Sequence, residues 1–196
     1  MASEKLTLPP ILPALQNPLE LNVLIQRVKT IQPKRILEVG SLYGGTLLCW
    51  MRHFPGSVVV TVDLVPEGVA QHPVEKVRTA RGEWPEYARM CRCELHALEG
   101  RSDDPKNLSK CSEFAPYDFI FIDGGHKYAE VQGDLEHYWP MLRKGGLMAF
   151  HDIGVIDEDP SIDCGRWWNE LKGEWGERME EFIETPGQWG IGVIQK

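Results

Sequence analysis

The sequence predicts an α/β domain: a doubly wound, mostly parallel sheet of seven strands with a closing antiparallel hairpin at its C-terminal end. Three observations carry that expectation. A short apolar run, Arg35 to Val39, stops at a glycine, meets two more glycines and restarts as the apolar segment Thr46 to Met51. That is strand, glycine turn and helix in succession. Val58 to Asp63 is β-branched and continuous, as a strand covered on both faces is. Strand-like and helix-like segments then alternate along the chain, the pattern of parallel crossover units.

The elements follow in order. Residues 1–16 are proline-rich (Pro9, Pro10, Pro13) and carry Leu6, Leu8, Ile11, Leu12 and Leu15. They read as an extended arm suited to a homodimer contact, and residues 17–196 as one domain. Asn17-Pro18-Leu19-Glu20 is a helix start, with Asn as cap, Pro at the first position and Glu at the third. Leu21, Leu24, Ile25 and Val28 share one helical face. The helix after the glycine turn closes at Pro55-Gly56. A helix is expected over 73–90, a third strand over 93–98 and a fourth over 117–123. The next helix buries Val131, Leu135, Tyr138 and Leu142, with Lys144-Gly145-Gly146 as its glycine cap. A fifth strand, 147–150, runs into His151-Asp152. The acidic Asp157-Glu158-Asp159 is the expected lid, Arg166 to Lys172 a short helix, and 179–195 a hairpin around Pro186-Gly187. Trp84, Trp139, Trp167, Trp168 and Trp189 are read as core or as lining of an aromatic pocket.

At 196 residues the chain has room for one sizeable core. A net charge of −8 argues against a nucleic-acid surface, which needs clustered Lys and Arg. No secretory signal precedes the domain and no apolar run approaches a membrane span, so a cytoplasmic protein with no membrane partner is expected. Five cysteines without framework spacing read as reduced thiols.

In an open α/β sheet, ligands bind outside the carboxyl ends of the strands. Four strands here end in Glu38, Asp63, Asp123 and the His151-Asp152 pair. Glycines at the first turn let a ligand approach the backbone, and the amides of the new helix face it. Asp63, about 20 positions past Gly40, stands where an acid accepts from both hydroxyls of a ribose. The turn lacks the lysine and hydroxyl pair of a nucleoside-triphosphate loop. Carboxylates at neighbouring strand ends suit Mg²⁺ or Mn²⁺, and the imidazole tilts the set toward Mn²⁺ or Fe²⁺. Otherwise His151 is a structural residue bonded beneath the loop, and Asp152 a cap.

The run Glu38-Val39-Gly40-Ser41 with Gly44 and Thr46 resembles motif I of class I S-adenosylmethionine-dependent methyltransferases, in the form found in small O-methyltransferases. Asp123-Gly124-Gly125-His126 with Tyr128, then Leu142, Gly145-Gly146 and Phe150-His151-Asp152, is similar to bacterial metal-dependent O-methyltransferases of the macrolide-sugar and cephalosporin-hydroxylase-like group. Catechol-type enzymes are more distantly similar. The resemblance spans about residues 20–172. It implies a Rossmann-like fold and S-adenosylmethionine as cofactor, held by Glu38, Gly40, Ser41, Gly44, Thr46, Asp63, Gly100, Ser102 and Asp123. It implies Asp123 and Asp152 as ligands of Mg²⁺ or Mn²⁺, with His151 where the family often has another acid. His126 falls at the general base of the sugar enzymes.

The expected function is therefore methyl transfer to the hydroxyl of a small molecule or sugar. The alternatives are a metal-dependent hydroxylase-like relative on the same fold and a nucleoside-binding protein without catalysis. No Asn/Asp-Pro-Pro-aromatic motif of nucleic-acid amino-methylating enzymes is present, nor a catalytic Pro-Cys pair of cytosine-C5 enzymes.

Overall fold

The computed structural model describes residues 14–65, 72–154 and 162–196. Most of the expected arm and the expected lid at Asp157-Glu158-Asp159 lie outside those residues. The first elements are α1 (Pro18–Lys29), β1 (Arg35–Val39), α2 (Gly45–His53), β2 (Val58–Asp63), α3 (Val74–Cys91) and β3 (Glu94–Glu99). Then come α4 (Pro105–Ser112), β4 (Tyr117–Ile122), α5 (Tyr128–Tyr138), β5 (Leu142–His151), α6 (Cys164–Trp175), β6 (Met179–Phe182) and β7 (Ile191–Gln195). The seven strands form one sheet in the order β3-β2-β1-β4-β5-β7-β6. All pairings through β5 are parallel, and β7 runs antiparallel to both β5 and β6. The doubly wound sheet and its closing hairpin are as the sequence predicts.

Alternate residues of each inner strand enter different cores. Ile36, Val59 and Phe119 pack with α1, α2 and α3 on one face. Leu37, Val60 and Ile120 pack with α5 and α6 on the other. Both faces are apolar because both are covered, which is why β1, β2 and β4 read as continuous apolar runs.

Three local expectations need correction. Asn17 caps α1 by accepting from the Leu19 amide at 2.9 Å, but Glu20 does not complete a capping box. Its buried carboxylate instead accepts from the Glu184 and Gly190 amides at 2.8 and 3.0 Å and ties α1 to the loop of the C-terminal hairpin. The helix before β5 stops at Tyr138, followed by a 3-10 turn over Trp139–Met141. Pro140 in that turn has no amide to continue the helix. Leu142 and Lys144-Gly145-Gly146 accordingly belong to β5. Tyr117 pairs with Leu142 and Phe119 with Leu147, so the glycine pair forms a bulge there, not a helix cap. The third difference is α4, absent from the expectations. Asp104 caps it by accepting from the Lys106 amide at 2.7 Å, with Pro105 next. That is the same start signal as Asn17-Pro18.

Chain direction reverses about β1: the strands after it step first to β2 and β3, then to β4 and β5 on its other side. A ligand crevice opens at such a switch point. Here it brings Gly40, Asp63, Asp123 and His151-Asp152 to one edge of the sheet.

Candidate active site

The turn after β1 is held from beneath. Glu38 is fully buried, and its carboxyl group is bonded to Ser41 Oγ at 2.6 Å and to the Trp50 indole nitrogen. Ser41 Oγ also meets the Thr61 hydroxyl of β2. Burial pushes the Glu38 carboxyl up to about 8, against the lowering effect of those bonds. The folded chain therefore holds a proton that the unfolded chain releases above its ordinary carboxylate pKa. That contribution to stability is complete below about pH 4.5 and declines as pH rises toward about 8. Thermal melts should thus show the wild type losing about 4 °C or more between pH 5 and pH 8, the shift of ~1–2 kcal/mol in a chain of this size. Glu38→Gln mimics the protonated acid, so its melting temperature should vary less over that range and exceed the wild type's at pH 8. Equal slopes in the two proteins would contradict a protonated Glu38.

Gly40 has φ +83°, and a Cβ there would stand 2.0 Å from the Asp123 backbone oxygen. Only glycine allows the tips of β1 and β4 to come this close. Gly44, at φ +89°, begins α2 without a side-chain cap, and a Cβ there would run into the Trp84 indole. The first amides of α2 are left to other acceptors.

At the tip of β2, Asp63 Oδ2 accepts from the Ser41 and Leu42 amides at 3.0 and 2.6 Å and from Arg81 Nη2 at 2.6 Å. All three contacts use one oxygen, and the Leu64 backbone amide adds a further hydrogen bond to the carboxylate. Burial raises the Asp63 carboxyl above its usual range, with the Arg81 guanidinium opposing. Arg81 comes from α3, reaches the Leu42 and Leu64 carbonyls and lies over the Trp84 ring at 5.3 Å. No short-range signal in the sequence connects Arg81 with Asp63.

Across the turn, five side chains form one polar chain. His126 Nδ1 lies 3.0 Å from Asp152 Oδ2. His151 Nδ1 sits 3.2 Å from both Asp123 Oδ1 and Asp152 Oδ1. Gln16 Nε2 donates to Asp123 Oδ2 at 2.7 Å. Burial works to lower the His151 pKa, but the two flanking carboxylates raise it to about 10, making the ring an internal cation. The bond to Asp152 likewise holds the His126 pKa above its ordinary value. Both histidines keep Asp152 well below the usual carboxylate range against its burial. Asp152 adopts φ +61°, a conformation uncommon outside glycine and found at functional sites.

These groups and the glycine turn border one cavity of about 960 Å³. Of the sequence-predicted residues, Gly40, Ser41, Thr46, Asp63, Gly100 and Ser102 line it, as do Asp123, His126, His151 and Asp152. Glu38 and Gly44 do not: the first supports the turn from the core and the second packs on Trp84. Trp84, Trp167 and Trp168 are core, whereas Trp189 is 40% exposed and lines the cavity. Three of these side chains could hold a cation together. Asp123, His126 and Asp152 offer donor atoms within 4.8 Å of one another, and His151 is outside that group. His151 ends β5 inside the sheet, so its ring lies between the carboxylates as their hydrogen-bond partner.

Residues 37–153 match the family described as a methyltransferase domain. The chain belongs to that family. This agrees with the resemblance to S-adenosylmethionine-dependent methyltransferases carried by the glycine turn. Over 94% of its length the methyltransferase domain superposes on 84% of an O-methyltransferase from Bacillus cereus solved with S-adenosylhomocysteine, at TM-score 0.63 and 22% identity. It is similar in fold to the MycE methyltransferase of the mycinamycin pathway, solved with Mg and S-adenosylhomocysteine. That match has TM-score 0.57 and 15% identity, over 89% of this chain and 48% of the other. A curated relative, the 8-demethyl-8-(2-methoxy-alpha-L-rhamnosyl)-tetracenomycin-C 3'-O-methyltransferase of Streptomyces olivaceus, is 27% identical over 130 residues. The match covers 62% of this chain and 28% of the relative. The chain spans under a third of the length of the curated relatives it matches. Among the described residues, no helix is long and apolar enough to cross a membrane.

Proposed function

We propose that this protein transfers the methyl group of S-adenosylmethionine to a hydroxyl oxygen of a small molecule, with a sugar hydroxyl as the favoured acceptor. The observation that carries the reading is the sharing of one cavity by the glycine turn, Asp63 and the His126–Asp152 pair. The chain fits the cofactor: a glycine turn bordering the cavity, an acid at the β2 tip beside it, and a helix start without a side-chain cap. Asp63 would hold the ribose hydroxyls, the amides opening α2 the carboxylate of the aminoacyl tail, and Gly100 and Ser102 the adenine edge. Bound there, the sulfonium supplies an electrophilic methyl group, so the protein must place and deprotonate the acceptor.

Asp152 fixes the His126 ring through Nδ1, which leaves Nε2 to take the acceptor proton. Leu15, Leu64 and Trp189 give the cavity exposed apolar borders, suited to an acceptor with an apolar body. The names of curated relatives, which include sugar O-methyltransferases of rhamnosyl and olivosyl compounds, support the choice of hydroxyl.

One observation favours a metal-assisted form of the same reaction. Asp123, His126 and Asp152 make a carboxylate–imidazole donor set that fits Mn²⁺ better than the all-oxygen sites preferred by Mg²⁺. A cation there would acidify a bound hydroxyl. Against it, each carboxylate oxygen of the set already has a nitrogen partner from this chain.

The test is release of S-adenosylhomocysteine by the full chain from S-adenosylmethionine, with phenyl α-L-rhamnoside and catechol as acceptors. It is run first in chelator and then with Mn²⁺ or Mg²⁺ restored. Acceptor-dependent release that survives the chelator supports the His126–Asp152 form, and release that returns only with cation supports the metal form. Absence of both S-adenosylmethionine binding and product would overturn the reading. Binding without product from any acceptor would favour a nucleoside-binding protein.

A further inference from the structure

We propose that Gln16 reads the α-ammonium group of the cofactor's aminoacyl tail. The inference rests on the methyltransferase reading and adds a binding residue from outside the stretch matched by the family, residues 37–153.

Gln16 immediately precedes the Asn17 cap of α1 and is only 8% exposed. Its Nε2 donates to Asp123 Oδ2 at 2.7 Å. That bond fixes the direction of the amide, because a carbonyl oxygen facing a carboxylate would be repelled. Oε1 is therefore turned away from Asp123. It is buried and has no hydrogen-bond partner among the described residues. A buried carbonyl oxygen left without a donor is destabilising, and native folds rarely leave one without a reason. Gln16 also lines the large cavity, so a ligand bound there lies beside this side chain, and a small turn of the amide would give Oε1 its donor.

Strand order indicates which donor. The sheet runs β2-β1-β4, with Asp63, Gly40 and Asp123 at successive strand tips. Neighbouring strands are ~4.8 Å apart, so Asp63 and Asp123 stand about 10 Å apart across the crevice. A nucleoside with its ribose on Asp63 extends its aminoacyl tail over the Gly40 turn toward Asp123 and Gln16. That tail ends in one anion and one cation. Gln16 Oε1 is an acceptor and Asp123 is a carboxylate, so this corner attracts the ammonium and rejects the carboxylate. The carboxylate is left for the uncapped amides opening α2.

The test needs no acceptor substrate. Calorimetry on the full chain compares S-adenosylhomocysteine with its desamino analogue, which keeps the nucleoside, thioether and carboxylate. Each is titrated into wild type and Gln16→Met, an unbranched apolar replacement of similar length. S-Adenosylhomocysteine should bind Gln16→Met roughly tenfold more weakly, the loss of one charge-assisted hydrogen bond. The desamino analogue should bind both proteins equally. Unchanged binding of S-adenosylhomocysteine overturns the proposal. Equal weakening of both ligands also overturns it, since Gln16 would then only shape the site. If wild type binds neither ligand, the methyltransferase reading itself has failed and this inference falls with it.

Discussion

His126→Ala is expected to lower methyl transfer by roughly 100- to 10,000-fold, the usual range for loss of a positioned general base. Binding of S-adenosylmethionine should change little, since His126 is not among the groups that hold the nucleoside. The ring is 43% exposed at its side chain, so its removal leaves no cavity in the core. A fall in kcat with intact cofactor affinity would separate a chemical role from a structural one. Full turnover by the variant would remove His126 from the mechanism.

The pH profile adds a second signature. Asp152 stabilises the imidazolium and raises the His126 pKa. A base works only when neutral, so the rate should climb with pH through that raised value. Asp152→Asn removes the charge that raises it, and the limb should move toward lower pH. The plateau should fall as well, because the ring loses the partner that orients it. A limb that stays in place would show that another group sets it.

The fold was legible because its strands announce themselves twice, by β-branched continuity and by ending in acids or glycines. Val58 to Asp63 illustrates both. The edge elements were less legible for identifiable reasons. Glu20 has the spacing of a capping box, yet loop amides 164 and 170 residues away compete for its carboxylate and win. Pro140, not the glycine pair at Gly145, stops the helix, and the glycines serve a bulge that exists only against β4. The α4 start at Asp104-Pro105 was readable by the rule that identified α1.

The site divides in the same way. Residues at strand ends converge because topology requires it, and so Asp63, Asp123, His126 and Asp152 were accessible from sequence. Their division of labour was not. Whether His151 is a metal ligand or a buried hydrogen-bond bridge depends on its place inside the sheet and on two carboxylates 3.2 Å away. Arg81 and Gln16 are joined to the site by contacts that cross between elements, with |i−j| of 18 and 107, and no pattern in the chain marks them.

Asp63→Ala is expected to weaken S-adenosylmethionine binding by about 100-fold, read by calorimetry. Hydrogen bonds to a charged group are worth ~1.5–3 kcal/mol, and two ribose hydroxyls would lose such a partner, so ~3 kcal/mol is a moderate expectation. The substitution also frees the Ser41 and Leu42 amides and leaves the Arg81 guanidinium, with a side chain 13% exposed, without its carboxylate. Part of the loss will therefore come from a turn that is no longer held in its binding shape. Arg81→Met separates the two contributions. It removes the ion pair while keeping Asp63 on the Ser41 and Leu42 amides, so it should weaken binding by much less, on the order of tenfold. If Arg81→Met is as damaging as Asp63→Ala, the ion pair rather than the ribose contact sets the affinity. If Asp63→Ala binds like wild type, the nucleoside does not rest on the β2 tip, and the orientation of every other group in the cavity must be redrawn from that result.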